Sequence, residues 1–182
     1  PFIKIMKAVN NGDPEVLDDR FNLPTKHVAH TAFNLDYSTV YYTVCDYEKP
    51  TEIRCDLYQR ERLFDGTWGE PTKLEVNSKG YTSTQPNIGY DSTAQETRLY
   101  FASNRPVDNG NGTNLDIWYS KINMDGSLED PVNFKEVNTP FDEATPFFHT
   151  AAQKFYFSSE AYQNLGGFDI FYIERDAAGN WP

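Results

Sequence analysis

The chain has 182 residues, long enough for one ordinary domain with a real core, and its 12 Tyr and 13 Phe point to β-structure rather than a helical bundle built on Leu and Ala. A net charge of −11 and a sequence pI near 4.6 set the surface against nucleic-acid phosphates and anionic lipid, so neither is an expected partner. No apolar run approaches the ~20 residues that a membrane-spanning helix needs, so direct membrane insertion is not expected.

Residues 1–23 are the least patterned and read as the end of a preceding repeat or a linker. Within them, residues 2–6 suggest a strand, 10–14 a turn and 15–20 a single helical turn. A first unit follows over 24–76, with strands predicted at 30–34, 39–44, 55–60 and 73–76 and a tight turn at Asp65-Gly66. A second unit covers 83–137, with strands at 85–90, 98–103, 115–121 and 131–137 and a turn at Asp125-Gly126. The third, 138–182, carries strands at 145–149, 154–158 and 169–173.

The three units align. Tyr41, Tyr100 and Tyr156 fall at one position, and Asp56, Asp116 and Asp169 at another, each aspartate opening an apolar-aromatic run (DLY, DIWY, DIFY). Trp68, Leu128 and Trp181 follow the turn at a third. Four short strands repeating over roughly 40–60 residues are the sequence signature of a β-propeller blade. The predicted fold is therefore all-β, a partial propeller of about three four-stranded antiparallel blades with a leading strand. Three units do not close a ring, so a larger propeller, or blades supplied by a partner, is expected.

Cys45 and Cys55 flank DYEKPTEIR, a predicted hairpin. In an oxidising compartment they are expected to form a disulfide; the alternative is two free thiols. Two sulfurs without a neighbouring histidine fall short of a zinc site. The repeated aspartates suit a folding device more than chemistry, since a catalytic group is needed once and a structural one in every repeat. As such a device, each is expected to cap the turn or to pair with a neighbouring donor, for example Asp116 with Arg105 across the hairpin. The loop carrying Asp108, Asn109, Asn111 and Asp116 is oxygen-rich, and calcium is the one cofactor it suggests, but it lacks the spacing and closing glutamate of a calcium loop. His27 and His30, three apart on a strand, point to opposite faces and do not converge on a metal. No nucleophile elbow or phosphate loop is present, and the adjacent acids Asp142-Glu143 diverge.

The segments FYFSS, GGFDIFY, GNW and NTPFDEATPFF of the third unit, with LYFASNR and LDIWY in the second and VYYTVCD and DGTWGEP in the first, resemble the TolB-like, WD-type propeller repeats of Bacteroidetes cell-envelope proteins. The resemblance spans residues 24–182. It implies a periplasmic or outer-membrane-associated protein of the kind found with OmpA-like domains and PorE-like components of type IX secretion. Its partners would then be envelope proteins of a larger assembly, with any peptidoglycan link made through a domain outside this chain. The expected function is a non-catalytic interaction scaffold. The alternatives are the propeller domain of a hydrolase, either a prolyl-oligopeptidase-type peptidase or a glycosidase, and a glycan-binding module.

Overall fold

The structure, a computed structural model, describes residues 2–10, 12–18, 20–107, 114–162 and 166–182. Among these the regular structure is antiparallel β-sheet throughout, in four sheets. A leading two-stranded sheet pairs β1 (Met6–Lys7) with β2 (Glu15–Val16). The first full sheet runs in chain order through β3 (His27–Phe33), β4 (Thr39–Lys49), β5 (Glu52–Glu61) and β6 (Thr72–Lys73). The second repeats this order with β7 (Ser83–Asp91), β8 (Glu96–Ser103), β9 (Asp116–Ile122) and β10 (Val132–Asn133). The third has β11 (Glu143–His149), β12 (Lys154–Ser159) and β13 (Asp169–Glu174).

The registers give the same alignment as the sequence. Tyr41, Tyr100 and Tyr156 sit opposite Ala32, Asn87 and Phe147 on the preceding strand and opposite Gln59, Tyr119 and Tyr172 on the following one. Residues alternate between two faces of each sheet, and both faces are apolar. One face of each sheet packs on the opposite face of the next. Tyr41 and Leu57 of the first sheet meet Leu99, Phe101 and Trp118 of the second. Tyr100 and Ile117 of the second meet Phe148, Phe155 and Phe157 of the third. Tyr100 and Phe148 stack with centroids 5.6 Å apart and planes at 8°. Gly89 makes room for this contact, because a Cβ there would stand 2.6 Å from the Phe148 ring.

Three expectations need correction. Residues 15–20 hold no helical turn; Glu15–Val16 is a strand paired to Met6–Lys7. The predicted fourth strands at 73–76 and 131–137 shrink to two residues each. An asparagine side chain explains the shortening. Asn77 accepts a hydrogen bond from the Leu57 amide at 2.8 Å and donates to the Leu57 carbonyl at 2.9 Å. Asn138 does the same to Ile117, at 2.7 and 2.8 Å, and Asn22 to Ile5, at 2.8 and 2.9 Å. A primary amide offers both a donor and an acceptor, so one side chain replaces a strand residue in the ladder. The chain then turns and drops Leu74 and Val76, or Phe134 and Val137, into the core. Finally, Arg105 does not pair with Asp116. It donates to the Val76 carbonyl at 2.6 Å and to Ser83 and Ser103 Oγ, and it lies over the Phe101 and Trp118 rings. Burial lowers its pKa to about 10, which still leaves the guanidinium charged at neutral pH.

The leading sheet follows the same plan. The Leu17 amide donates to Ile5 as Leu74 does to Leu57 and Phe134 to Ile117. Ile5, Leu17 and Phe21 cover Val28, Val40, Tyr42 and Val44 of the first sheet. Polar ties join the last two sheets. Asp91 is fully buried; it accepts from the Thr93 and Ala94 amides at 3.0 Å, from Arg175 at 2.6 Å, and has Arg98 at 3.3 Å. Burial alone would raise its pKa, but the Ala94 amide and the two guanidiniums outweigh it and hold the carboxyl below its ordinary value.

Asn138→Ala leaves the buried Ile117 amide without a partner, while the Ile117 carbonyl keeps the Phe134 amide, and is expected to cost about 1–3 kcal/mol in chemical denaturation, where Asn123→Ala, at an exposed turn, costs little. Gly89→Ala drives a methyl into Phe148 and should lower stability by about 1–3 kcal/mol. Because Asp91 has a folded pKa below its unfolded value of about 3.9, its contribution is complete above that value and is lost as pH falls through the folded one. Denaturation midpoints measured from pH 7 down to pH 3 should therefore fall more steeply for the native protein than for Asp91→Asn.

Candidate functional site

The first strands of the three full sheets converge on one cleft of about 340 Å³. Each carries a β-bulge at the same place, between Ala29 and Ala32, Thr84 and Asn87, and Ala144 and Phe147. In each bulge one residue adopts a left-handed backbone: His30 (φ 51°), Gln85 (φ 57°) and Thr145 (φ 49°). A bulge re-aims side chains out of the alternating pattern, and here it presents all three to the cleft. Left-handed backbone costs roughly 1–2 kcal/mol for an ordinary residue, so three in register mark a site held by its surroundings. The holding contacts run from sheet to sheet. Thr43 Oγ1 accepts from the Gln85 amide at 3.1 Å, Gln85 Oε1 from the Thr145 amide at 2.8 Å, and Asn87 Oδ1 from the Phe148 amide at 2.8 Å.

The amide oxygens of Gln85 and Asn87 thus accept inter-sheet hydrogen bonds, and each of these cleft-lining side chains also carries an NH₂ donor. His30 adds an imidazole whose pKa is lowered by burial, so the ring is neutral at neutral pH and can both donate and accept. Phe33 and Phe147 also line the cleft, 41 % and 48 % exposed. The described residues of this lining include no Asp or Glu. Sequence reasoning named His30 but missed the cleft. The three left-handed residues, His30, Gln85 and Thr145, differ in type, and none is the Gly or Asn that usually marks such a position.

The residues singled out from sequence lie elsewhere. Asp56 accepts from Lys73 at 2.8 Å and Asp116 from Asn133 at 3.0 Å, each tying the third strand of its sheet to the short fourth. Burial, with the nearby Glu143 and Asp142 carboxylates, raises the pKa of Asp116. Asp169 opens β13 opposite Ser159. Tyr41 is buried between sheets, which pushes its phenol up to about 12. Tyr100 is fully buried and Tyr156 half-buried. Trp68 bridges to Arg62, and Trp181 lies under the Arg175 guanidinium at 4.3 Å. Asp108, Asn109 and Asn111 lie outside the described residues. Among the described residues, no group of three or more His, Cys, Asp or Glu could hold a metal ion. His27 packs against Phe2 and Tyr47. Cys45 and Cys55 face each other in register and are joined by a disulfide. A charged recess beside them, with Lys26, Asp46, Glu48, Arg54, Asp56 and Lys73, is internally paired as Lys26–Asp46, Arg54–Glu48 and Lys73–Asp56.

No protein-family model matches this chain, and no curated protein matches it in sequence. Among solved structures it is similar to a thermostable family-43 glycoside hydrolase, with a TM-score of 0.54 and 17 % sequence identity. The match covers 98 % of this chain and 62 % of that one, so the chain spans less than two thirds of its neighbour's length. At this identity the likeness speaks for the fold alone. It is a propeller-type arrangement, in which the sheets described above are blade-like units and the cleft lies where their first strands meet.

Proposed function

We propose that this chain is part of a propeller-type glycan-binding module, which holds a neutral, hydroxyl-rich ligand in the cleft and does not hydrolyse it there. The composition of the cleft carries this reading. Side-chain NH₂ groups from Gln85 and Asn87, the neutral imidazole of His30 and the hydroxyls of Thr31 and Thr145 match sugar hydroxyls, while Phe33 and Phe147 offer flat apolar surface to a pyranose face. Glycoside hydrolysis needs two carboxyl groups flanking the scissile bond, roughly 5–9.5 Å apart, and the described cleft lining supplies none. The family-43 neighbour supports the fold and, by analogy only, the ligand class. The Cys45–Cys55 disulfide favours an extracytoplasmic compartment, where polysaccharide is met, and fits the resemblance to envelope propellers.

Screening the purified protein against an array of neutral oligosaccharides, with calorimetry on the hits, is expected to show binding without product release. His30→Gly should weaken binding about tenfold while leaving the melting temperature unchanged or higher, because glycine accepts φ 51° without strain. Phe33→Ala should weaken binding by a similar factor. Absence of any bound glycan, or release of cleaved sugar, would overturn the reading.

A further inference from the structure

The middle of the three full sheets gives the cleft more hydrogen-bond donors than acceptors. A backbone N–H can be met only by the oxygen of a side-chain amide, so the Thr145 and Phe148 amides fix which end of Gln85 and of Asn87 is the oxygen, at 2.8 Å in each case. Each oxygen has spent one lone pair in that bond. Among the described residues neither NH₂ group donates to a protein acceptor. The buried side-chain atoms that lack a partner are His27 Nε2, Tyr100 OH, Trp118 Nε1 and Arg175 Nε. The NH₂ groups of Gln85 and Asn87 are not among these, so both reach solvent on half-buried side chains that line one cleft. Both belong to β7, whose sheet is packed between the other two.

A hydroxyl and a carbonyl answer such donors differently. A hydroxyl brings a proton that needs an acceptor in its turn, whereas a carbonyl oxygen brings two lone pairs and no proton. A carboxylate would also meet the donors, but the described lining includes no Lys or Arg, and the net charge of −11 opposes an anion. The His30 ring and the Thr31 hydroxyl can accept as well as donate, while Thr145 Oγ1 already shares a hydrogen bond with Ser158 Oγ at 2.6 Å. The rest of the lining is apolar: Ala32, Phe33, Pro86, Ile88, Pro146 and Phe147. An acetamido group answers all three features. Its carbonyl accepts from NH₂ groups, its N–H donates to an imidazole or hydroxyl, and its methyl suits an apolar wall.

We propose that the ligand preferred by this cleft is an N-acetylated amino sugar, its acetamido carbonyl held by the Gln85 and Asn87 NH₂ groups and its methyl set against the apolar lining. The inference rests on the glycan-binding reading above and narrows it to one substituent. Gln85 and Asn87 are then specificity-determining residues, and the bonds from β11 decide which end of each amide is left for the sugar.

Calorimetry on the native protein compares tri-N-acetylchitotriose with cellotriose, which has the same linkage and a hydroxyl in place of each acetamido group. The acetylated sugar is expected to bind about tenfold tighter or more. Gln85→Glu and Asn87→Asp each keep an oxygen for the β11 amide but replace the donor by an acceptor. Each should bring the two affinities to within about twofold of one another, with the native melting temperature. Equal or tighter binding of cellotriose, or tighter binding of trigalacturonic acid than of either, would overturn the acetamido assignment while leaving glycan binding in place. Failure of every arrayed glycan to bind would overturn the glycan reading and this inference with it. A preference for the acetylated sugar that survives in both variants would overturn the role given to Gln85 and Asn87.

Discussion

Each sheet of this protein is apolar on both faces, and a two-faced sheet of three or four short strands cannot keep itself out of water. The composition follows from that. Burying both faces needs side chains long enough to meet across the gap, and Phe, Tyr and Trp fill it: Tyr100 lies within 5.1–6.2 Å, centroid to centroid, of Phe155, Phe148, Tyr119 and Phe134. The constraint also fixes the order of the sheets. A face that receives must always be followed by a face that inserts, so the sheets succeed one another in chain order without crossing. Gly89 shows how close the fit is, since its missing Cβ is what lets the Phe148 ring lie against the second sheet.

Apolar packing between sheets is non-directional and would tolerate sliding. What fixes the register is polar. The Thr43, Gln85 and Asn87 side chains each accept one backbone amide of the following sheet, and Asp91 accepts Arg175 from it. Within a sheet, Asn77 and Asn138 do the corresponding job, closing the ladder where the fourth strand is only two residues long. The same ties force the left-handed bulges into alignment, so the cleft at the sheets' inner edge is a by-product of the device that registers them.

The strands of the core were readable because aromatic and β-branched residues alternate along them, as in TVYYTV and RLYFAS. The facing cysteines were readable because a hairpin brings its flanks together. The asparagine clamps were not. A two-residue strand has no period to detect, and an Asn before a polar run reads as an ordinary turn. For that reason the sequence suggests a single helical turn over 15–20, although Asn22 repeats the contacts of Asn77 and Asn138. Asp116 does meet a neighbouring donor, Asn133, but not Arg105, for a different reason. Charge complementarity suggested Arg105, but a long guanidinium side chain gained more by lying over Phe101 and Trp118 and capping Val76 than by reaching an acid. The cleft was invisible because alternation predicts His27 and His30 on opposite faces, and only the bulge between Ala29 and Ala32 breaks that parity.

The likeness to a glycoside hydrolase speaks for the fold, and the chemistry of the cleft has to be read from its own residues. Fold similarity at 17 % identity reports how sheets are stacked, which aromatic burial alone can reproduce. Catalysis depends on particular atoms, and carboxylates cannot be replaced by amides in that chemistry, because an amide neither protonates a leaving group nor activates water at neutral pH. Amides do recognise hydroxyls, and Gln85 and Asn87, which line the cleft, each have the side-chain oxygen held by an inter-sheet hydrogen bond. A donor array oriented in advance by the fold lowers the ordering cost of holding a flexible, hydroxyl-rich ligand. The proposed retention of a sugar rests on those donors.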